Sequence, residues 1–230
     1  MVKFLFKFKS FVAILYILVR NHLPTPDIDI KDYELEVEIE GTGKTKVFTI
    51  KDLKKFKKEK VVAVVMCGGN RRSEMNAVKE VKGLSWSSAA CGNAVWEGVR
   101  LCDFLKAMGV QSDENSHVIL EGYDRDPTYT PFAASIPLSK AMDPRGDVIL
   151  AYEMNGKTLT RDHGFPVRCI VPGVVGARNV KWLGKITISK NESDSHWQQN
   201  DYKSFNPSVD WDTVDFKTAP AIQNMPVTSA

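Results

Sequence analysis

Paired cysteines are missing from this chain. Its four cysteines, at positions 67, 91, 102 and 169, are widely and irregularly spaced and form no C-x-x-C motif. That spacing suggests neither a zinc knuckle nor a dithiol redox centre. It fits a reducing compartment or buried thiols, with disulfide pairing left open. Net charge is scarce too: 31 basic against 28 acidic residues leave +3, too little to imply a nucleic-acid partner. Internal repeats and low-complexity tracts are absent, and no apolar run reaches the roughly 20 residues that span a bilayer. With 43% hydrophobic and 26% charged residues, the 230 positions suit one large domain, or one with a small appendage. Such a domain is large enough to fold without a disulfide or metal staple.

The first nineteen residues are atypical. Met1 to Val19 carries lysines, no acidic residue, and the apolar run Phe11 to Val19. A basic start before a short apolar stretch reads either as a targeting segment or as a buried strand. Mitochondrial presequences are usually rich in Arg and Ser, and this segment is not. Beyond it, Tyr33, Leu35, Val37 and Ile39 alternate with acidic residues, as in a half-buried strand, and Gly41-Thr-Gly43 turns the chain into a hairpin with Val47–Ile50. Gly43-Lys44-Thr45 resembles the end of a phosphate loop, but Glu38 stands where that motif needs glycine. Leu53 and Phe56 lie on one face of a lysine-rich stretch, which predicts a short solvated helix over 51–60. A better helix is predicted over 100–108, ended by Gly109. Strands are predicted at 61–66, 117–121, 147–152, 170–171 and 186–188, and loop dominates after Lys190.

Chemistry concentrates where Val61–Met66 ends in Cys67. The turn Gly68-Gly69-Asn70 follows, then Arg71-Arg72. Glycines allow a sharp turn, a strand end holds the thiol rigidly, and nearby guanidiniums favour thiolate and gather anions. A lone thiol in such a place is more often structural, and Cys91, Cys102 and Cys169 read as packing residues.

The wider string alters that weighing. Cys67-Gly-Gly-Asn-Arg-Arg-Ser-Glu-Met75 and Val78-Lys-Glu-Val-Lys-Gly-Leu-Ser-Trp86 are joined in order by five further motifs. These are Arg20-Asn-His-Leu-Pro24, Leu150-Ala-Tyr-Glu-Met-Asn-Gly156, Arg161-Asp-His-Gly-Phe-Pro-Val-Arg168, Pro172 to Leu183, and Ser195-His-Trp-Gln with Asp201-Tyr-Lys203. Together they resemble the molybdopterin-binding domain of the sulfite oxidase family, from about Val19 to the C-terminus. The resemblance implies a mixed α+β fold over 20–230 and oxidation of sulfite to sulfate by oxygen-atom transfer at Mo-molybdopterin.

By the same resemblance, Cys67 is the metal ligand. Arg20, Arg72, Trp86 and Tyr202 are the catalytic residues that line the sulfite pocket. Leu18, Val19, Arg20, Asn21 and His22 hold the cofactor with Asp124, His163, Arg168, Asn179, Val180 and Lys181. Paired guanidiniums can bind a small oxyanion with forked, charge-assisted hydrogen bonds. The implied partners are sulfite and an external electron acceptor, a haem protein or oxygen. The family's homodimer is left open, and the implied location is the mitochondrial intermembrane space. The chain departs from the family in having Gly68 for the usual Ala, no room for a haem domain before Arg20, and an end at Ala230 where a C-terminal dimerisation domain would begin. That domain supplies a further pocket arginine, so the oxyanion site is expected to be incomplete. A nitrate reductase-type domain and a truncated cofactor-binding fragment of little activity are the alternatives. Ser195-His-Trp-Gln and Glu153 favour sulfite oxidase over nitrate reductase.

Overall fold

The computed structural model of the protein describes residues 19–225. The N-terminal segment 1–19 and the cofactor residue Leu18 therefore lie outside the described residues, Val19 excepted.

Two mixed-order sheets make the frame. The first contains β1 (Leu35–Ile39), β2 (Lys44–Phe48), β5 (His117–Arg125), β6 (Pro131–Pro137) and β10 (Leu183–Ser189), in the order β2-β1-β10-β5-β6. Within it β1 runs parallel to β10, and the other pairs are antiparallel. The second sheet contains β3 (Lys58–Met66), β4 (Cys91–Arg100), β7 (Ile149–Met154) and β8 (Lys157–Thr158), with β9 (Arg168–Ile170) also paired to β7. Helices α1 (Ile50–Leu53), α2 (Arg72–Val78), α3 (Leu101–Ala107) and α4 (Leu138–Met142) are short. This is the α+β fold expected.

The apolar run in β7 is continuous because both faces of that strand are covered. Leu150 and Tyr152 face the main core with Leu35, Phe104, Leu120 and Ile186, whereas Ile149, Ala151 and Met154 join a second cluster around Trp96 and Ile170. A strand buried on both sides loses the polar alternation that marks a solvated one. Next to it, β4 carries a register shift at Glu97/Gly98, and a Cβ on Gly98 would lie 1.9 Å from the Leu150 carbonyl. Only glycine fits there.

Helix α3 behaves as its periodicity predicts, burying Leu101, Phe104 and Leu105. The 51–60 helix does not. Thr49 and Asp52 form a capping box, with Asp52 N–H 3.3 Å from Thr49 Oγ1 and Thr49 N–H 3.0 Å from Asp52 Oδ2, but the helix ends at Leu53. The lysines that follow open β3 instead. Lys58 reaches Glu97 at 2.9 Å and Glu153 at 2.6 Å, and Lys60 reaches Glu97 at 3.3 Å. Lysines suit an edge strand, where they discourage further pairing. Strands β4 and β6 were not legible in the sequence, and after Lys190 one turn of π-helix forms at Trp197–Asp201.

Candidate active site

Both sheets open onto one cleft of about 850 Å³ including its mouth. Cys67 stands at its edge, one residue past β3, and is half-buried. Its N–H donates to Ala90 O at 2.9 Å, its carbonyl accepts from Asn70 N–H at 3.0 Å, and its Sγ accepts from Gly69 N–H at 3.3 Å. Backbone bonds thus fix the thiol on both sides. A Cβ on Gly68 would sit 3.3 Å from Val175 Cγ2 and 3.7 Å from the Tyr202 ring, so the departure from the family's alanine relieves contact beside the thiol.

Arg20, Asn21, His22 and Tyr202 gather across from it. The Arg20 guanidinium donates to Asn21 O and lies 3.5 Å from His22 Nδ1. His22 Nε2 is hydrogen-bonded to Tyr202 Oη, and its ring stacks on Phe132 with centroids 5.5 Å apart. Burial, reinforced by Arg20, lowers the His22 imidazole to about 4, which leaves it neutral at pH 7. Burial also pushes the Tyr202 phenol well above its ordinary range, so the phenol keeps its proton.

The far wall comes from the 160–182 region and β5. Arg168 is buried, donating from Nη1 to His163 O at 2.9 Å and from Nη2 to Asn179 O at 3.2 Å, with its guanidinium 5.0 Å from the Trp96 ring centroid. Lys181 Nζ donates to Asn21 Oδ1 and, at 2.8 Å, to Asp162 O. Burial first, then Arg168, lowers the Lys181 ammonium to about 7, while burial raises the Asp124 carboxyl to about 6. His163 Nδ1 lies 2.6 Å from Thr160 Oγ1. Gly164, at φ 104°, lets the stems of Arg168 and Lys181 close to within about 3 Å of where a Cβ would be. Asn179 spends its side chain on the backbone, accepting from Val171 N–H at 2.7 Å and donating to Val174 O and Val175 O. Val180 is buried beside it.

The cleft therefore brings together Arg20, Asn21, His22, Cys67, Asp124, His163, Arg168, Asn179, Val180, Lys181 and Tyr202. Three expected residues do not line it. Val19 is 42% exposed. Arg72 packs its guanidinium against Gly69 and Gly83, where a Cβ would lie 2.5 and 2.8 Å away, and donates to Leu84 O. Trp86 is half-buried on the same excursion, with Nε1 buried and unpartnered. Cys91, expected to pack, is exposed, while burial pushes the Cys169 thiol up to about 12. Sequence reasoning missed Trp96 and Phe132 as wall residues, because each sits on a strand it did not read.

Residues 22–197 match the family model of the oxidoreductase molybdopterin binding domain. The chain belongs to that family. It is 66% identical over 212 residues to the mitochondrial sulfite oxidase of Drosophila melanogaster, an alignment covering 92% of this chain and 37% of that protein. It is 41% identical over 200 residues to the NADH nitrate reductase of Solanum lycopersicum, covering 84% and 22% respectively. The crystal structure of the sulfane dehydrogenase SoxCD from Paracoccus pantotrophus superposes with a TM-score of 0.72 at 28% identity, over 90% of this chain and 49% of that one. The chain thus spans under half the length of these relatives.

The cleft's own chemistry fits a molybdopterin. Asp124 Oδ1 and Arg168 Nε are buried polar atoms with no partner, an acceptor and a donor that a hydrogen-bonding heterocycle would satisfy. Lys181, Arg168 and Arg20 supply cations for a phosphate. Among the described residues no group of three or more His, Cys, Asp or Glu side chains could cage a metal, so a metal here must bring other ligands to the single Cys67 thiolate.

Proposed function

We propose that the protein oxidises sulfite to sulfate, with water supplying the added oxygen and an external acceptor, a haem protein or oxygen, taking the two electrons. One observation carries this reading: the rigid Cys67 thiol shares a cleft with the Arg20–His22–Tyr202 cluster, a cation and hydrogen-bonding groups suited to a small oxyanion. Cys67 would ligate molybdenum, while Asp124, His163, Arg168 and Lys181 would hold the pterin and its phosphate. The bound cofactor supplies the redox chemistry.

The chain's own residues do the rest. Arg20 draws the anion in, and a hydrogen bond from a charged donor is worth about 1.5–3 kcal/mol. With its Nδ1 facing the Arg20 guanidinium, which can only donate, neutral His22 carries its proton on Nε2 and donates it to Tyr202 Oη, which leaves the Tyr202 hydroxyl hydrogen free for an incoming oxygen. Phe132 and Trp96 exclude water around these groups and strengthen their electrostatics. The mitochondrial name of the Drosophila melanogaster relative supports a mitochondrial site of action.

Molybdenum content of the purified protein, combined with sulfite-dependent reduction of ferricyanide or cytochrome c, tests the proposal. Sulfite turnover by metal-loaded protein is the expected result. Nitrate-dependent turnover in its place would install the nitrate reductase reading, and loading without turnover would leave a cofactor-binding fragment.

A further inference from the structure

Arg178 is fully buried, yet among the described residues it has no carboxylate within ion-pair distance and does not line the cleft. Burying a guanidinium without a counter-charge is expensive, so its retention calls for a reason other than stability. Its surroundings supply one. The group lies 5.7 Å from the centroid of the Tyr202 ring. Nε donates to Ile222 O at 3.1 Å and Nη1 to Trp197 O at 3.4 Å, while Nη2 is buried without a partner.

Those two carbonyls bracket Tyr202. Trp197 begins the single π-helical turn that delivers Tyr202, and Ile222 donates its N–H to Tyr202 O at 2.8 Å. Arg178 itself belongs to the short 3₁₀ turn Gly176–Arg178, and that turn is pressed against the thiol segment: a Cβ on Gly176 would sit 2.8 Å from Met66 O and 3.5 Å from Cys67 N. Tyr202 is in turn close to Gly68 on its other side. One planar fork therefore ties the Cys67 side of the cleft to both chain segments that carry Tyr202. A lysine offers no such plane for stacking and no rigid fork.

We infer that Arg178 is a positioning residue for Tyr202: it sets where the phenol hydroxyl points relative to Cys67, and so how tightly the cleft holds a tetrahedral oxyanion. This rests on the sulfite reading for its ligand, but not for its geometry. The nearest acidic groups in its field, Glu192 and Asp201, are too distant to neutralise it by contact, so its role is to hold segments together.

The test uses the cofactor-loaded full chain with Arg178→Lys and Arg178→Met, each checked by melting temperature and molybdenum content. Arg178→Lys keeps the charge and guards against a folding failure in Arg178→Met. Exchange of the Ile222 amide, read by NMR, should quicken at least about tenfold in Arg178→Lys as its bond to Tyr202 loosens. Sulfate, a non-reacting tetrahedral anion, should bind at least about fivefold more weakly by calorimetry, and in a Tyr202→Phe background that loss should shrink to under about twofold. Unchanged Ile222 exchange would overturn the inference, as would a sulfate loss of equal size with Tyr202 and with Phe at that position. If the wild-type chain fails to turn over sulfite while Ile222 exchange still responds, the functional reading falls and the positioning role stands.

Discussion

On one side of Cys67 stands a wall of titratable groups, buried Arg168 and Asp124 with half-buried Lys181, placed by strands and by the bonds of Asn179 and Gly164. On the other side, the excursion from Gly68 to Ala90 carries helix α2, which buries no residue and leaves Val78 80% exposed, and beyond the helix Leu84 is 60% exposed. The wall is over-determined and the rim is tethered at a few points. Lys79 provides the main tether, donating to Pro207 O at 2.8 Å, to Val209 O at 2.9 Å and to Asp210 at 2.5 Å, while Lys82 lies 4.0 Å from the Trp211 ring centroid. The contrast fits a division of labour in which the wall holds a large ligand in one pose and the rim admits a small one. Substitutions in the wall should therefore read out as stability and cofactor occupancy, and substitutions in the rim as kinetics.

The junction between the two regions should show the largest effect. Cys67→Ser is expected to leave less than about 1% of sulfite turnover, a loss of roughly 2.7 kcal/mol or more, with the fold and pterin binding retained. Comparable turnover by the molybdenum-loaded variant would remove Cys67 as the metal ligand.

Next comes a wall charge. The folded-state value for Lys181, about 7, lies below the ordinary 10.5. The unfolded chain therefore holds the extra proton between those limits, and the contribution of Lys181 to stability grows as pH rises from 7 to 10.5 and is lost as pH falls through 7. Discounted for its partial access to solvent, the change is about 2–3 kcal/mol in the cofactor-free chain. Asp124, raised from 3.8 to about 6, acts in the opposite sense and only at lower pH, where its contribution declines as pH climbs to 6. Denaturant titrations of wild type and Lys181→Gln at pH 7 and pH 10 should show the slope in the former alone, and an equal slope in both would refute the assignment.

Arg168→Met strips donors from His163 O and Asn179 O, partly offset by removal of a buried cation. A net loss of about 2 kcal/mol, or roughly 4–8 °C in melting temperature, is expected together with lower pterin occupancy. Arg72→Gln is the matching rim experiment and should have the smallest effect. There kcat/KM for sulfite should fall about tenfold with the melting temperature nearly unmoved. A melting loss like that of Arg168→Met would erase the distinction between the regions, and an unchanged kcat/KM would confine Arg72 to bracing Leu84.

What was legible in the sequence follows the same line. Arg168, Asn179 and Lys181 were found together through the family motifs that contain them, and all three line the cleft. Arg72 and Trp86 sit in equally recognisable motifs, but the direction of the Arg72 side chain is set by the gap between Gly69 and Gly83, distant in sequence from each other. No local pattern reports that. Strand β4 escaped because Gly92, Asn93 and Gly98 break its alternation, and Gly98 is required by a neighbour more than fifty residues away. The stretch 54–60 misled because Lys58 and Lys60 answer to Glu97 and Glu153 on other strands.

The parallel pairing of β1 with β10 has a consequence for how the chain is made. Glu36 lies opposite Lys185 in the middle of the first sheet, with β10 also the link to β5. On the ribosome, the β1–β2 hairpin and the β5–β6 hairpin emerge long before the strand that joins them. Each waits with an open edge, and such edges are where nascent chains associate wrongly. The second sheet needs only β3, β4 and β7 to begin pairing, so it can form first and serve as the platform. Synthesis therefore delivers the thiol-bearing half early, and the cleft is completed only after residues 183–189, and then Tyr202, arrive.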